Sequence, residues 1–248
     1  MGTLGTVVWE DGPGGREPWV PAALLGDTSR WGVGAAGVIY YDRMDGPAGS
    51  RPATGCAGGW MRFGTVRIKG AYRHFDIMRL YGEQQGVVSA GRELEGAGAA
   101  SVDVTVTRLW VASAQSRVAA RAGATLRVAR RYATLVLQGS GIPVRREWDP
   151  TIGEPPGISL GLHTRRHAAG GMGSVGEVVF DPVPRLRLRH GFEYRLHETV
   201  AFSVAVQTEP FLLALGLSLE LHGHTSTVAL VNHPVLGWSR GAGALFSR

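Results

Sequence analysis

From Pro184 to the C-terminus the chain alternates apolar and polar residues with a period of two, which commits it to extended strands with two unlike faces. Leu186, Leu188, Phe192, Tyr194 and Leu196 hold even positions, while Arg185, Arg187, Arg189, Glu193, Arg195 and His197 hold odd ones. Side chains that point alternately to opposite sides of a pleated strand have this period. After Glu198-Thr199, the residues Val200, Phe202, Val204 and Val206 alternate with Ala201, Ser203, Ala205 and Gln207 as far as the turn signal Thr208-Glu209-Pro210. Phe211 and the odd-numbered leucines from Leu213 to Leu221 then share one side, against Ala214, Gly216, Ser218 and Glu220, and the run ends at His222-Gly223-His224. Two further runs, Thr227 to His233 and Trp238 to Phe246, complete an antiparallel up-and-down meander.

Such alternation serves either of two solvents. In a soluble sandwich the apolar faces meet in a shared core. In an outer-membrane barrel they face lipid, and the inner face is polar, charged or small. Runs of about ten residues match a tilted strand that crosses the hydrocarbon layer, whereas ordinary strands average five or six. The polar face carries Arg in strand after strand, mixed with Gly, Ala and Ser, which suits a crowded polar lumen. The pattern therefore predicts an all-β, transmembrane, antiparallel up-and-down barrel.

Composition agrees. A hydrophobic content of 44% is too low for a helical membrane protein but ordinary for a barrel whose lipid face uses every second residue, and no run reaches the roughly 18 apolar residues of a spanning helix. The formal net charge is +6, and Lys69 is the only lysine. A basic balance raises nucleic acid as a partner. The arginines, however, are spread through strands at period two, with no basic patch and no nucleic-acid motif, so no nucleic acid is expected. The single cysteine, Cys56, excludes an intrachain disulfide and a cysteine-based zinc site. The first residues show no basic segment followed by an apolar core, so the expectation is either a processed or truncated form of an exported barrel, or a chain that is not an outer-membrane protein.

Taken in order, residues 1 to about 30 read as a lead-in or lumen segment with an apolar island, Trp19 to Leu25, and residues 31–248 as the barrel. Trp31 to Tyr41 is a first strand, with Tyr40-Tyr41 suited to an aromatic girdle, and Asp42 to Thr54 a loop. Strands are expected at Gly58 to Phe63, Thr65 to Phe75, Glu83 to Leu94, Ser101 to Val111, Arg117 to Val128 and Tyr132 to Gly139. The proline-bearing stretch from Ser140 to Gly157 reads as an extended loop, followed by strands at Ile158 to Arg165 and Val175 to Phe180. The count is about fourteen strands, an even number as a closed bacterial barrel requires.

Several stretches together resemble FadL-like and PorV-like outer-membrane barrels. Pro21-Ala22-Ala23-Leu24 resembles their Asn-Pro-Ala-Gly/Ala-Leu segment, and Tyr72-Arg73-His74-Phe75 with Leu80-Tyr81-Gly82-Glu83 is similar to an early hairpin of PorV-like proteins. The strand Leu188 to Leu196, the Glu209-Pro210 turn, Gly216 to Leu219 and His233 to Gly237 resemble their C-terminal pattern. The chain departs from it at Val20, where the family has Asn, and in ending Phe246-Ser247-Arg248 without a terminal aromatic. The resemblance implies a fourteen-stranded bacterial outer-membrane barrel. Its members include transporters of hydrophobic compounds and secretion-system scaffolds.

Chemistry-bearing constellations are sparse. His222 and His224, at i and i+2, are of a type that holds a metal with a third ligand, but no third ligand is in view and His-Gly-His reads as a polar hairpin turn. Asp103 and Glu193 fall on arginine-bearing faces and are expected to pair there. Neither a Gly-x-Ser-x-Gly nor a phosphate-binding loop is present, and Gly170-Gly171-Met172-Gly173 reads as a turn. No catalytic residue, metal or cofactor is expected. The residues expected to line a lumen and set its electrostatics are Arg121, Arg187, Arg189, Glu193 and Arg195. The expected role is a channel or transporter for small or hydrophobic molecules, or a structural partner in an envelope complex, with outer-membrane lipid around it. The rival readings are a soluble all-β binding or interaction module within a multiprotein complex and, on the histidine count alone, a β-rich hydrolase or metal enzyme.

Overall fold

A computed structural model describes residues 29–40, 51–77, 80–95, 98–112, 116–129, 133–144, 156–165, 170–181, 183–209 and 211–248. Residues 1–28 of the expected N-terminal lead-in, with its apolar island, and most of the Ser140 to Gly157 connection lie outside these residues.

The strands are β1 (Trp31–Ile39), β2 (Ala53–Phe63), β3 (Val66–Ile77), β4 (Tyr81–Leu94), β5 (Gly98–Val111), β6 (Arg117–Ala129), β7 (Ala133–Pro143), β8 (Gly157–Arg165), β9 (Gly170–Asp181), β10 (Val183–His197), β11 (Val200–Gln207), β12 (Leu212–Leu221), β13 (His224–His233) and β14 (Gly237–Ser247). Each pairs antiparallel with its neighbours in sequence, and β1 pairs with β14, so the sheet closes into a fourteen-stranded barrel. At the closing seam Gly32 lies opposite Ser247 and Ile39 opposite Arg240. The seam is extended by Arg30 and Trp31 N–H groups donating to the Arg248 carbonyl, and by Arg248 N–H returning to Trp31. Closure removes both sheet edges, and with them the unpaired ladder groups that would otherwise invite association.

The two faces of this cylinder differ. Along β5, Val102, Val104 and Val106 are exposed, Asp103 and Thr105 between them are half-buried, and the flanking Ser101 and Thr107 are buried. The same division holds in β3, where exposed Val66 and Ile68 alternate with buried Arg67 and Lys69. A convex outer wall exposes its side chains and a concave inner wall crowds them, so the apolar set faces out and the polar set faces in. Leu126, Leu137, Leu160, Leu188, Leu217 and Leu230 continue the outer band around the barrel.

The two ends differ as well. The hairpin turns β2–β3, β10–β11 and β12–β13 are two residues each and lie at the end where β1 starts and β14 finishes. His222 (φ 49°) and Gly223 (φ 80°) make the last of these, and two successive positive φ angles are what a tight hairpin with right-handed strand twist requires. The strand ends joined by the longest connections, Ile39 with Ala53 and Pro143 with Gly157, lie at the opposite end. Outward aromatic rings mark both levels: Trp31, Phe63, Tyr194 and Phe246 near the short turns, Phe180 and Trp238 near the other end. Trp31 and Phe246 approach to 5.5 Å between ring centroids across the seam. Along β14, the interval from Trp238 to Phe246 corresponds to about 20 Å of height at ~3.4 Å per residue and a tilt of roughly 40°. That approaches the height of an apolar band between aromatic girdles.

Four expectations are corrected. Of the Tyr40-Tyr41 pair, Tyr41 lies outside the described residues and Tyr40 does not join a girdle: it is buried on the inner side, its hydroxyl accepts a hydrogen bond from Thr54 Oγ1 at 3.1 Å, and its ring stands edge-on to Phe75. Gly170-Gly171-Met172-Gly173 is not a turn but the start of β9, because Gly171 and Gly173 find ladder partners in β10 at Glu193 and Gly191. Strand β2 begins at Ala53, since Thr54 to Ala57 pair with both β1 and β3 despite their small side chains. Strand β7 runs on to Pro143 through a bulge: Ala122 and Ala124 oppose Ile142 and Gly139, which leaves an extra residue on β7 where Gly141 takes φ 71°.

The face assignment predicts that Val104→Arg, an arginine at mid-height of the outer wall, destabilises the barrel by about 2–4 kcal/mol when unfolding is measured in lipid bilayers. A cost near zero would place Val104 on the polar side.

Candidate functional site

The inner face is where charge collects. Its basic side chains include Arg67, Lys69 and Arg73 on β3 and Arg185, Arg187, Arg189 and Arg195 on β10, against Glu83, Glu93, Asp103, Glu177, Glu193 and Glu220. The β period of two puts them there, and the register of neighbouring strands decides which of them meet.

On one wall most of the charges are enclosed, with Arg62 and Glu93 near the β2–β3 turn the exceptions at 26% and 31% exposed. Arg67 Nη2 meets Glu93 Oε1 at 2.6 Å and Arg62 Nη2 meets Glu93 Oε2 at 3.0 Å, so one carboxylate ties β2, β3 and β4 together. Nearer the long-loop end, Arg73 Nη2 meets Glu83 Oε1 at 3.0 Å, and the Tyr81 hydroxyl donates to the same carboxylate. Trp60, Lys69, Ser89 and Asp103 sit in one cross-strand row from β2 to β5. Lys69 and Ser89 are almost wholly enclosed, the Trp60 ring covers Gly32 so closely that no Cβ fits there, and the Asp103 carboxylate lies against Gly123. This wall is a packed polar layer.

On the other wall the charges are open. Glu177 of β9 lies directly opposite Arg187 of β10, and its Oε2 receives Arg187 Nη1 at 3.1 Å and Arg189 Nη2 at 3.2 Å. Both guanidinium groups are also held from the far side: Arg187 Nε donates to the Glu209 carbonyl at 2.8 Å and Arg189 Nε to Gln207 Oε1 at 2.9 Å. Their side chains remain 30% and 29% exposed, against 7% for Arg67 and 13% for Arg73. Arg185 and Arg195 on the same face are exposed outright.

The five residues singled out in the sequence are thus divided. Arg187, Arg189, Glu193 and Arg195 share the inward face of β10, and the structure brings Arg187 and Arg189 together through Glu177. Arg121 stands apart: it is buried, and its Nη1 donates to the Gly141 carbonyl at 2.8 Å, so it braces the β7 bulge. The expected pairing of Glu193 with an arginine is not found among the described residues: Glu193 lies opposite Ser203, with Arg195 and Glu220 as the charges that act on it. Glu177 and Glu93 were not singled out, because only the register shows that each serves two arginines.

The histidines do not gather. His222 occupies the hairpin turn, and His224 faces outward beside Ser226. His190 interrupts the outer apolar band of β10, and its Nδ1 meets Ser174 Oγ at 2.7 Å, which satisfies both polar groups at an apolar surface. Among the described residues no three His, Cys, Asp or Glu side chains are grouped to hold a metal ion.

Because Arg121 closes a bulge carbonyl, Arg121→Ala is expected to lower unfolding stability by about 1.5–3 kcal/mol, the range for a hydrogen bond from a charged donor. An unchanged denaturation midpoint would remove the bracing role.

No protein-family model matches the chain, and no curated protein matches it in sequence. Among solved structures, the Pseudomonas putida toluene transporter TodX superposes with a TM-score of 0.67 over 92% of this chain and 91% of its own, at 8% identity. The Acinetobacter baumannii outer membrane protein Omp33 superposes with a TM-score of 0.59 over 89% of this chain and 98% of its own, also at 8% identity. The architecture of this chain is accordingly that of outer-membrane β-barrels: fourteen antiparallel strands, closed, apolar outside and polar within.

Proposed function

We propose that this protein is an outer-membrane channel for small water-soluble solutes that passes anions in preference to cations. The observation that carries the reading is the open arginine row on the inward face of β10, where Arg187 and Arg189 share a single carboxylate and keep nearly a third of their side-chain surface accessible. An excess of fixed positive charge along a confined aqueous path concentrates anions and repels cations. The outer apolar band with aromatic rings at both levels supports placement in a lipid bilayer, because a soluble module would leave that whole band in water.

The FadL-like resemblance and the TodX fold suggest hydrophobic cargo as a narrower alternative. The chemistry of the inner wall favours water-soluble solutes, since arginines, glutamates, glutamines, serines and threonines dominate its described positions. An ionised side chain offers nothing to a hydrocarbon that water does not.

The reading predicts ion-selective conductance from the purified protein in planar bilayers, with a reversal potential on the anion-selective side under a salt gradient. The double substitution Arg187→Glu with Arg189→Glu is expected to move that potential toward cation selectivity. A conducting barrel whose reversal potential does not respond would disconnect this strand from the solute path.

A further inference from the structure

We propose that Arg185, Arg187 and Arg189 form a binding station for small oxyanions carrying two or more negative charges, such as inorganic phosphate, and that Glu177 is a built-in anion which the solute displaces. The station deepens the channel reading above and rests on it for its purpose, though not for its chemistry.

The strand period places the three arginines on one inward face at intervals of about 6.7 Å. The β9–β10 register sets Glu177 opposite the middle one, and one carboxylate oxygen, Oε2, bridges Arg187 Nη1 and Arg189 Nη2. A phosphate or carboxylate oxygen entering this space would occupy that same bridging position. The guanidinium groups are already aimed, because their Nε atoms are held by the Glu209 carbonyl and by Gln207 Oε1. Arginine's planar fork of donors suits an oxyanion better than a point charge does, and orienting it beforehand reduces what binding must spend on ordering.

Charge counting sets the class of ligand. Among the described residues of this group, three arginines stand against one glutamate, which leaves it positively charged. A solute must offer more than the single charge of Glu177 to take its place, which favours phosphate over chloride. Glu177 also has a second effect. By competing for the two guanidinium groups it keeps the station weak, and a channel site has to release what it binds.

Access distinguishes Arg187 and Arg189 from Arg67 and Arg73, while Arg62, 26% exposed beside a 31% exposed Glu93, shares its carboxylate with the enclosed Arg67 and not with a second open guanidinium. Arg67 with Glu93 and Arg73 with Glu83 also join arginine to glutamate, but those arginines are 7% and 13% exposed and their walls are packed. At Arg187, Arg189 and Glu177 the side chains are 30%, 29% and 20% exposed, which admits a solute while still thinning the water that weakens ion pairing.

The test is phosphorus NMR line broadening of inorganic phosphate, titrated against the full chain folded in a detergent without phosphate groups. The wild-type barrel is expected to broaden the line. Glu177→Gln is expected to tighten apparent binding at least about fivefold, since a competing charge-assisted contact is lost. Arg187→Gln with Arg189→Gln should abolish the broadening, and Arg73→Gln should leave it unchanged. Heat-modifiable gel mobility checks that each variant is folded. No broadening by either the wild type or Glu177→Gln, or broadening that survives the double arginine substitution, overturns the station. Conductance measured in parallel separates the two claims. A barrel that conducts but ignores phosphate keeps the channel and loses the station, whereas one that binds phosphate through these arginines without conducting keeps the station and loses the channel.

Discussion

Every strand in this molecule depends on backbone pairing that has nowhere to stop. A sheet with an apolar outer face cannot leave a row of N–H and C=O groups open at an edge if that face is to meet hydrocarbon, because each unpaired group there costs several kcal/mol. The β1–β14 ladder meets this demand over eight residue pairs, from Gly32–Ser247 to Ile39–Arg240. The seam strands are rich in glycine and alanine, as in Gly32-Val33-Gly34-Ala35-Ala36-Gly37 and Gly241-Ala242-Gly243-Ala244. Small residues let the backbones meet there and leave the inner side of the seam unfilled, so large side chains from neighbouring strands can lean in. Trp60 over Gly32 is the clearest case.

Closure also fixes the chemistry of the interior. Once the apolar residues face outward, every second residue of every strand faces inward, and the charges among them must find one another across strands. They do so in two ways. Between β2 and β6 the inward side chains interlock, with Glu93 tying Arg62 to Arg67 and Lys69 shut away beside Ser89. Along β9 and β10 they are oriented but left accessible. The first wall is packed, and the second keeps its arginines accessible. The asymmetry comes from packing rather than composition, since both walls carry arginine and glutamate.

Strand number, order and faces could be read from the sequence because a period of two is a local signal, and the C-terminal strands carry it with leucine and arginine in sharp contrast. The signal fades where side chains are small. Thr54 to Ala57 and Gly170 to Gly173 say little about which face is which, and only their ladder partners hold them extended. The β7 bulge is hidden because the prolines after Ser140 read as a loop, whereas a positive φ at Gly141 carries the strand past an extra residue to Pro143. Of the site, the arginine row on β10 was legible from spacing alone. What spacing cannot supply is register. That Glu177 faces Arg187, that Glu193 faces Ser203, and that Arg121 reaches a bulge carbonyl all depend on how neighbouring strands are aligned.

The division into an outward apolar face and an inward charged face carries every later step, and β10 is the strand on which to measure it. In a Cys56→Ala background, single cysteines placed at Leu186, Arg187, Leu188 and Arg189 would carry a nitroxide spin label in barrels reconstituted into lipid vesicles. Collision rates with oxygen, which concentrates in lipid, and with a water-soluble nickel chelate would then be compared site by site. The account predicts strict alternation, with positions 186 and 188 favouring oxygen and positions 187 and 189 favouring the chelate. Equal accessibility along the strand, or the opposite phase, would contradict it.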